Sequence, residues 1–178
     1  DTLFRWDWEV ETGKHIGEIP DLPARDGLPL PAGANVQLIP SGPGFKNETI
    51  SELVISSIYA ARHKLVITTP YFVPDEPLMI ALKSCALRGV DVSLIVPEKV
   101  DSRMVRFASH GYYEDLLRAG IRIFHFRGGL LHTKSMTVDD ELTMIGTVNL
   151  DIRSLLLNFE VSLFVYDESF SGQVLELQ

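Results

Sequence analysis

The sequence contains little cysteine, few cationic residues relative to acidic ones, and no long apolar run. Its one cysteine, Cys85, excludes an internal disulfide framework and a zinc site built from several cysteines, and its apolar helical surroundings predict a buried, inert thiol. Sixteen Lys and Arg residues against twenty-four Asp and Glu residues give a net charge of −8, which disfavours nucleic acid as a partner because neutralising phosphates needs surplus cations. No apolar run exceeds about six residues, whereas a membrane-spanning helix needs about 20, so we expect the chain itself to be soluble.

Apolar residues make up 46% of the 178 residues, which is enough for a substantial core. Residues 1–34 contain four prolines and no sustained period of 2 or 3.6, so we interpret them as an inter-domain arm or linker. Within this arm, alternating apolar and charged residues over 4–11 predict a short strand. Its Trp6 and Trp8 then lie on a face that packs against the domain or, alternatively, serves as a ligand or membrane platform. Residues 35–178 are predicted to form one domain.

From residue 35 onward, strand-like and helix-like segments alternate. The predicted strands are 35–40, 64–72, 91–97 and 121–126, and the predicted helices are 47–63 (capped by Asn47), 75–89 (capped by Asp75) and 102–119. The final third predicts three more strands with antiparallel pairing and a terminal helix from Glu168. This order predicts an α/β fold, an α-β-α sandwich around a mixed, largely parallel sheet.

The residues that suggest chemistry lie in the final third. On a strand, alternate side chains share a face, so His132 and Lys134 point the same way, whereas Asp139 falls at the following turn with the other parity. The next strand ends with Thr147 and Asn149 on one common side. If the two strands are neighbours, the histidine, lysine and asparagine converge at one edge of the sheet.

These side chains suit phosphoryl transfer. The His132 imidazole can attack phosphorus or carry a proton near pH 7. Lys134 and Asn149 can donate hydrogen bonds to non-bridging oxygens whose charge grows in the transition state. Glu160, at the start of the last strand, can accept a hydrogen bond from the His132 ring and hold its tautomer.

The text HTKSMTVD followed by GTVN matches the HxKxxxxD–x6–GxxN signature of the phospholipase D superfamily. Five such residues at set spacing arise by chance in about one in 10⁴ chains of this length. The chain also resembles the C-terminal half of a bacterial cardiolipin synthase over about residues 35–178. The segments that carry this resemblance are IPSGPG, TTPYFVP, RGVDVSLIVP, GGLLHTKS and GTVNLDIRSLLLNFE. The text WEVETGKH resembles the inter-domain connector of that family.

This resemblance implies an enzyme that transfers a phosphatidyl group through a phosphohistidine from one phosphatidylglycerol to the glycerol hydroxyl of a second, giving cardiolipin and glycerol without a metal or other cofactor. It implies two facing motifs, in which one histidine is phosphorylated and the other is general acid and then general base. Carried over to this chain, His132, Lys134 and Asp139 are the motif triplet, with Asp139 bracing the turn. Asn149 and Thr147 are the polar groups on the phosphate side.

A second HxKxxxxD is absent from the chain. A competent site therefore needs an N-terminal half outside these residues or a second copy of the chain, and we assign His132 the acid/base role. The other four histidines are interpreted as surface or packing residues. The resemblance also implies that the full-length protein works at the surface of the bacterial inner membrane, with this domain on the cytoplasmic side.

Other interpretations remain open at this point. The motif also fits a hydrolytic phospholipase D or a superfamily nuclease acting as a one-motif homodimer, and an excised half would be inactive on its own. Residues 128–129 form a phosphate cradle or a turn. Residues 153–154 contact substrate or begin a helix, and residues 71–72 line a lipid pocket or pack in the core.

Overall fold

The structure is a computed structural model that describes residues 2–17, 33–43, 49–99 and 103–178. The chain divides into two compact units, Asp1–Gly33 and Ala34–Gln178. This boundary lies next to the predicted one, while the role of the first unit as an inter-domain linker stays a prediction. None of the helices in the described ranges is long and apolar enough to cross a membrane.

The predicted strand over residues 4–11 is wrong, because this segment lies in a helix, α1 (Thr2–Thr12). Phe4 and Trp8 lie one helical turn apart with their ring centroids 6.2 Å from each other, and Thr12 Oγ1 donates to the carbonyl of Trp8 at 2.7 Å. Gly13, at φ 64°, ends the helix. Eight alternating residues also place apolar side chains at the i, i+4 spacing of a helix, so the short pattern did not separate the two structures.

The second unit contains the elements β1 (Asn35–Ser41), α2 (Thr49–Ala60), β2 (Lys64–Thr68), β3 (Phe72–Val73), α3 (Glu76–Leu87), β4 (Asp91–Pro97), α4 (Arg103–Arg118), β5 (Arg122–Phe126), β6 (Ser135–Val138), β7 (Leu142–Gly146), β8 (Leu150–Asp151), α5 (Ile152–Leu156), β9 (Glu160–Tyr166) and α6 (Glu168–Leu177). The predicted order of strands and helices is confirmed as far as β7, whereas the short strand β8 and the helix α5 lie unpredicted between β7 and β9. The predicted strand 64–72 is divided between β2 and β3. Asp75 caps α3 as expected, whereas Asn47 lies outside the described residues.

Seven strands form one sheet in the order β1-β9-β7-β6-β2-β4-β5. Within this sheet, parallel pairing is confined to β2–β4 and β4–β5, and the other four neighbouring pairs are antiparallel, while β3 and β8 form a separate parallel pair. The α/β class and the mixed sheet are confirmed. Five of the seven strands (β1, β2, β4, β5 and β7) run in the same direction, but β6 and β9 run between them in reverse, so fewer neighbours are parallel than the sequence suggested.

The main apolar core lies between the sheet and α2, α3 and α4, and it includes Leu65, Met136 and Phe164. Cys85 of α3 is fully buried there, as predicted, and burial raises the pKa of its thiol; its inertness stays a prediction. The opposite sheet face carries buried hydroxyl groups beneath α6, where Thr143 Oγ1 donates to Ser171 Oγ at 2.9 Å. The sheet therefore lies between two layers of helix.

The pairing register brings several strand ends to one side of the sheet. Strands β1, β2, β4, β5 and β7 end where β6 and β9 begin, as the pairs Thr68↔Ser135 and Ser41↔Glu160 show. We call this side the site edge. Open α/β sheets commonly bind ligands beyond the carboxyl ends of their strands, and the HxK motif lies at this edge.

Candidate active site

His132 and Lys134 lie in the segment that leads into β6 rather than within the strand itself. The backbone N–H of Gly146 donates to the carbonyl of Lys134 at 3.2 Å, which extends the pairing of β6 with β7 toward the site edge. Lys134 Nζ donates to the carbonyl oxygen of His132 at 2.8 Å. The two motif residues differ in exposure, since Lys134 is only 8% exposed and His132 is exposed.

The Lys134 ammonium group is a buried cation at the site edge. Burial lowers its pKa, and the negative charge of Glu160 acts in the opposite direction and raises it. One of its three N–H groups is used by His132, so two can be offered to an anion. An ammonium group that is largely shielded from solvent is suited to stabilising the negative charge on phosphoryl oxygens in a transition state.

Asn149 is positioned by the first turn of α5. Its Nδ2 donates to Ser154 Oγ at 3.0 Å, and Ser154 Oγ donates to Asp151 Oδ2 at 3.1 Å. Asp151 also caps α5 by accepting from the backbone N–H of Ser154 at 2.8 Å. Ser154 therefore belongs to the helix start and also holds Asn149. Sequence reasoning missed Asp151, although an Asp directly before a helix is an ordinary N-cap signal.

Thr147 ties β7 to β9. Its Oγ1 accepts from the backbone N–H of Val161 at 2.9 Å, and its own N–H donates to the carbonyl of Val161 at 3.0 Å. The Thr147 oxygen is thus occupied by the neighbouring strand in this structure, so its contact with a phosphate stays a prediction. Its observed contacts align the strand that leads to Asn149.

No hydrogen bond joins Glu160 to the His132 ring in the part of the chain that the structure describes, so their pairing stays a prediction. Its Oε1 accepts from Asn158 Nδ2 at 3.1 Å, and Arg153 Nε donates to Asn158 Oδ1 at 3.3 Å. Asn158, in the link between α5 and β9, therefore holds the Glu160 carboxylate. The electrostatic partner of Glu160 at the site edge is Lys134.

Asp139 lies at the opposite end of β6 from the motif histidine. Asp139 is five positions along the chain from Lys134, roughly 16 Å at about 3.3 Å per residue. Its carboxylate accepts hydrogen bonds from three consecutive backbone N–H groups, those of Arg62, His63 and Lys64, at 2.8, 2.8 and 2.9 Å. Burial alone would raise the pKa of the Asp139 carboxyl, but the three hydrogen bonds outweigh it, and the pKa lies below its ordinary value. These contacts are those of a residue that braces the turn.

The structure separates the interpretations that the sequence left open. Phe72 is a core residue at 1% exposure, whereas Tyr71 lines clefts at the site edge. A Cβ at Gly128 would meet the Phe126 ring at 2.5 Å, and Gly129 has φ 110°, so both glycines serve a turn. The phosphate-cradle interpretation stays untested by these contacts.

Two clefts open beside the motif residues, and Tyr71 lines both. The His132 cleft, of about 410 Å³, has mainly apolar walls and also contains Lys99. The Asn149 cleft, of about 490 Å³, extends toward Ile152 and Arg153 of α5.

Within the described residues, no three His, Cys, Asp or Glu side chains come together as metal ligands. The arrangement offers an imidazole, a buried ammonium and an amide, a set suited to an anionic phosphoryl group.

The fold and the motif define a phospholipase D-like domain. Residues 54–177 match the family model described as "Cardiolipin synthase, PLD-like domain", and the chain belongs to this family. It is 48% identical over 178 residues to cardiolipin synthase A of Yersinia pseudotuberculosis serotype O:1b and to that of Yersinia pestis bv. Antiqua. Each match covers 99% of this chain and 36% of the relative, so the chain spans about a third of the length of these curated relatives.

Solved structures with the same fold have lower sequence identity. Nuc from Salmonella typhimurium, described as a phospholipase D family member, matches with a TM-score of 0.68 at 23% identity, over 81% of this chain and 91% of that one. Phosphatidylserine synthase from Haemophilus influenzae matches with a TM-score of 0.65 at 22% identity, over 84% of this chain and 38% of that one. At such identities these matches show the fold alone.

Proposed function

We propose that this chain supplies one of two His–Lys half-sites of a phosphatidyltransferase that makes cardiolipin from two phosphatidylglycerol molecules and releases glycerol. The proposal is supported by the hydrogen bond between Lys134 and His132 before β6, and by the position of Asn149 after the neighbouring strand β7, in a chain that belongs to a cardiolipin synthase family. Membership of the family favours a phospholipid substrate, and the side chains present suit its phosphodiester.

In the first step, a histidine of the second half-site attacks the phosphorus of one phosphatidylglycerol. A P–N bond forms, the P–O bond to the head-group glycerol breaks, and His132 gives a proton to the departing glycerol oxygen. Lys134 and Asn149 hold the non-bridging oxygens while their negative charge grows. The lipid is then bound to the enzyme as a phosphatidyl-histidine.

In the second step, a terminal glycerol hydroxyl of the second phosphatidylglycerol attacks the same phosphorus. His132, now neutral, takes the hydroxyl proton as general base, the new P–O bond forms, and the P–N bond breaks with its electron pair returning to the other imidazole. Cardiolipin leaves and both histidines regain their starting states. In both steps, lysine and asparagine side chains stabilise the negative charge on the phosphoryl oxygens.

The second half-site must come from outside this single chain. A further part of a longer protein would supply it, because the chain spans 36% of its curated relatives. Such a full-length protein would act at the inner surface of the bacterial cytoplasmic membrane, where its lipid substrate lies. Nucleic acid is not a proposed partner.

The test is the variant His132→Ala in the full-length protein, assayed with labelled phosphatidylglycerol. We expect cardiolipin formation to fall by at least roughly 10³-fold, since acid/base and nucleophilic groups contribute on this scale. His125→Ala is the matched control, because the His125 ring packs edge-on against Tyr113, with the centroids 6.1 Å apart. A near-normal rate in His132→Ala would refute the catalytic assignment.

A hydrolase or nuclease made of two identical one-motif chains is the second candidate. It is the alternative that the single HxKxxxxD motif leaves open, because a second copy of the chain would supply the second motif. The isolated 178-residue chain separates the candidates in an assay of lipid transfer, phosphodiester hydrolysis and oligomeric state. We expect a chain with little activity, as for an excised half, whereas an active homodimer would favour the second candidate.

A further inference from the structure

The proposed transfer brings two anionic lipids to one site, but the motif residues hold only one phosphoryl group. The acceptor phosphatidylglycerol keeps its own phosphodiester, three glycerol carbons away from the hydroxyl that attacks. This second negative charge must lie close to the transferred phosphoryl group during the second step. A cation placed beside the motif would therefore favour a lipid acceptor over water or a neutral alcohol.

The acceptor hydroxyl must also reach His132, because this residue takes its proton in the proposed second step. The His132 cleft is therefore the relevant one, and among the described lining residues it shares only Tyr71 with the Asn149 cleft. Besides His132, the cleft is lined by Pro70, Tyr71, Pro97, Leu130, Leu131 and Lys99. Among the described residues that line the cleft, the polar groups are thus the imidazole, the phenol and one ammonium group.

Lys99 is placed directly after β4, at the site edge, and its side chain is exposed. No ion pair joins it to any residue that the structure describes. By contrast, the nearby Arg127 is paired with Glu98, with Nε and Oε1 3.0 Å apart, and Lys134 is buried against the carbonyl of His132. Of these three cations, Lys99 is the one that pairs with no described carboxylate and makes no hydrogen bond to the carbonyl of His132.

The apolar side of the cleft is exposed as well. Leu130 is 89% exposed, in the loop that follows the turn at Gly129 and leads to the motif. A leucine at this exposure next to a phosphoryl site is unfavourable in water and suits contact with the acyl-bearing part of a lipid. The cleft thus combines a cation with apolar walls, which matches the phosphate and the acyl region of one phospholipid.

We propose that the His132 cleft is the acceptor-lipid site, in which the Lys99 ammonium pairs with the phosphate that the acceptor retains and Leu130 contacts its acyl-bearing region. Lys99 is thereby an acceptor-specificity residue, which selects phosphatidylglycerol over water and uncharged alcohols. The inference rests on the proposed function. Lys99 takes no part in the first step, which forms the phosphatidyl-histidine.

The test uses Lys99→Met in the full-length protein with labelled phosphatidylglycerol as donor. Unlabelled phosphatidylglycerol and monooleoylglycerol compete as acceptors in the same vesicles, since the second lipid offers glycerol hydroxyls without a phosphate. We expect the ratio of cardiolipin to the monooleoylglycerol product to fall about ten-fold, the scale of one charge-assisted hydrogen bond. Total consumption of the donor should change much less.

Two further variants make the result specific. Lys99→Arg keeps the charge and should restore most of the ratio. Lys64→Met removes the same charge at the opposite end of β2, where Lys64 pairs with Asp140 at 3.4 Å, and should leave the ratio unchanged. An unchanged ratio in Lys99→Met would overturn the inference while transfer persists. A wild-type protein that transfers to no acceptor would instead refute the proposed function.

Discussion

Lys134 Nζ donates a hydrogen bond to the backbone carbonyl oxygen of His132 at 2.8 Å, so the two motif side chains are linked through the main chain. The bond holds the ammonium group in a buried position while the imidazole remains exposed. The lysine is kept at the site against its own solvation preference, because burying a cation is unfavourable. This conflict between stability and proposed function is measurable.

Replacing Lys134 by Met should abolish transfer in the full-length protein and leave the isolated chain at least as stable as the wild type. Burial lowers the pKa of Lys134 from its ordinary value of 10.5, so the unfolded chain binds this proton more tightly than the folded one. Wild-type stability should therefore rise as the pH increases from the lowered pKa to 10.5, and the variant should lack this rise. Urea unfolding over this pH range measures the difference.

Lys64→Met provides the comparison for that experiment, because the Lys64 side chain is 41% exposed and pairs with the exposed Asp140. Its removal should change stability by less than about 1 kcal/mol. A loss of more than about 2 kcal/mol in Lys134→Met would contradict the prediction, since an apolar side chain of similar volume commonly replaces a buried charge without penalty.

Asp139→Asn should destabilise the fold by about 2 kcal/mol or more, because charge-assisted hydrogen bonds to three backbone N–H groups are weakened. Asn tolerates the left-handed conformation at φ 52°, so the variant isolates the charge from the backbone geometry. The pKa of Asp139 is below its ordinary 3.8, so its stabilisation is complete above that pH and is lost as the pH falls through the lowered value. Acid unfolding of both proteins tests this dependence.

Asp140→Asn is a matched control for this variant. Asp140 is adjacent, has φ 59° and is exposed in its pair with Lys64. Its replacement should therefore leave the unfolding midpoint and its pH dependence almost unchanged. Equal destabilisation in the two variants would show that the turn, and not the three hydrogen bonds of Asp139, determines the effect.

Long, strongly patterned segments made most of the fold predictable. Strand β4 has the predicted bounds, 91–97, because an apolar run lies between a helix-ending glycine and a proline. The short alternating segment 4–11 fitted helix and strand equally and was misassigned. The extent of parallel pairing was also overestimated. Strands β6 and β9 lie between strands that run in the opposite direction, and local sequence patterns do not predict where a strand lies in the sheet.

The site was predictable at the level of its motif and less so at the level of its contacts. His132, Lys134 and Asn149 follow from spacing and strand ends. The partner of Glu160 does not, because it depends on the path of the link that brings Asn158 to its carboxylate. The position of Lys99 beside His132 likewise depends on the sheet order. Lys99 follows β4 and His132 precedes β6, and only β2 lies between these two strands in the sheet.

Ser154→Ala should reduce transfer about five- to ten-fold in the full-length protein, because Asn149 loses a hydrogen bond of about 1 kcal/mol that orients its amide. Helix α5 should persist, since Asp151 still accepts from the backbone N–H at position 154. If Ser154 acts through Asn149, adding Ser154→Ala to Asn149→Ala should cause no further loss. A double-mutant cycle on kcat/KM measures this coupling, and strictly additive effects would argue against a positioning role.

Gly146→Ala should destabilise the domain by about 1–3 kcal/mol, because the strands β7 and β9 approach too closely for a side chain at this position. A Cβ there would meet the carbonyl oxygen of Val161 at 2.3 Å and Ser162 Cα at 2.8 Å, and both are backbone atoms that move only with β9. Gly172→Ala is the control, since a Cβ within α6 meets nothing within 4 Å and should stabilise the helix by about 0.5–1 kcal/mol. Urea unfolding of the two variants should therefore show shifts of opposite sign. A neutral Gly146→Ala would mean that the glycine of the GxxN motif is not required by the approach of β9.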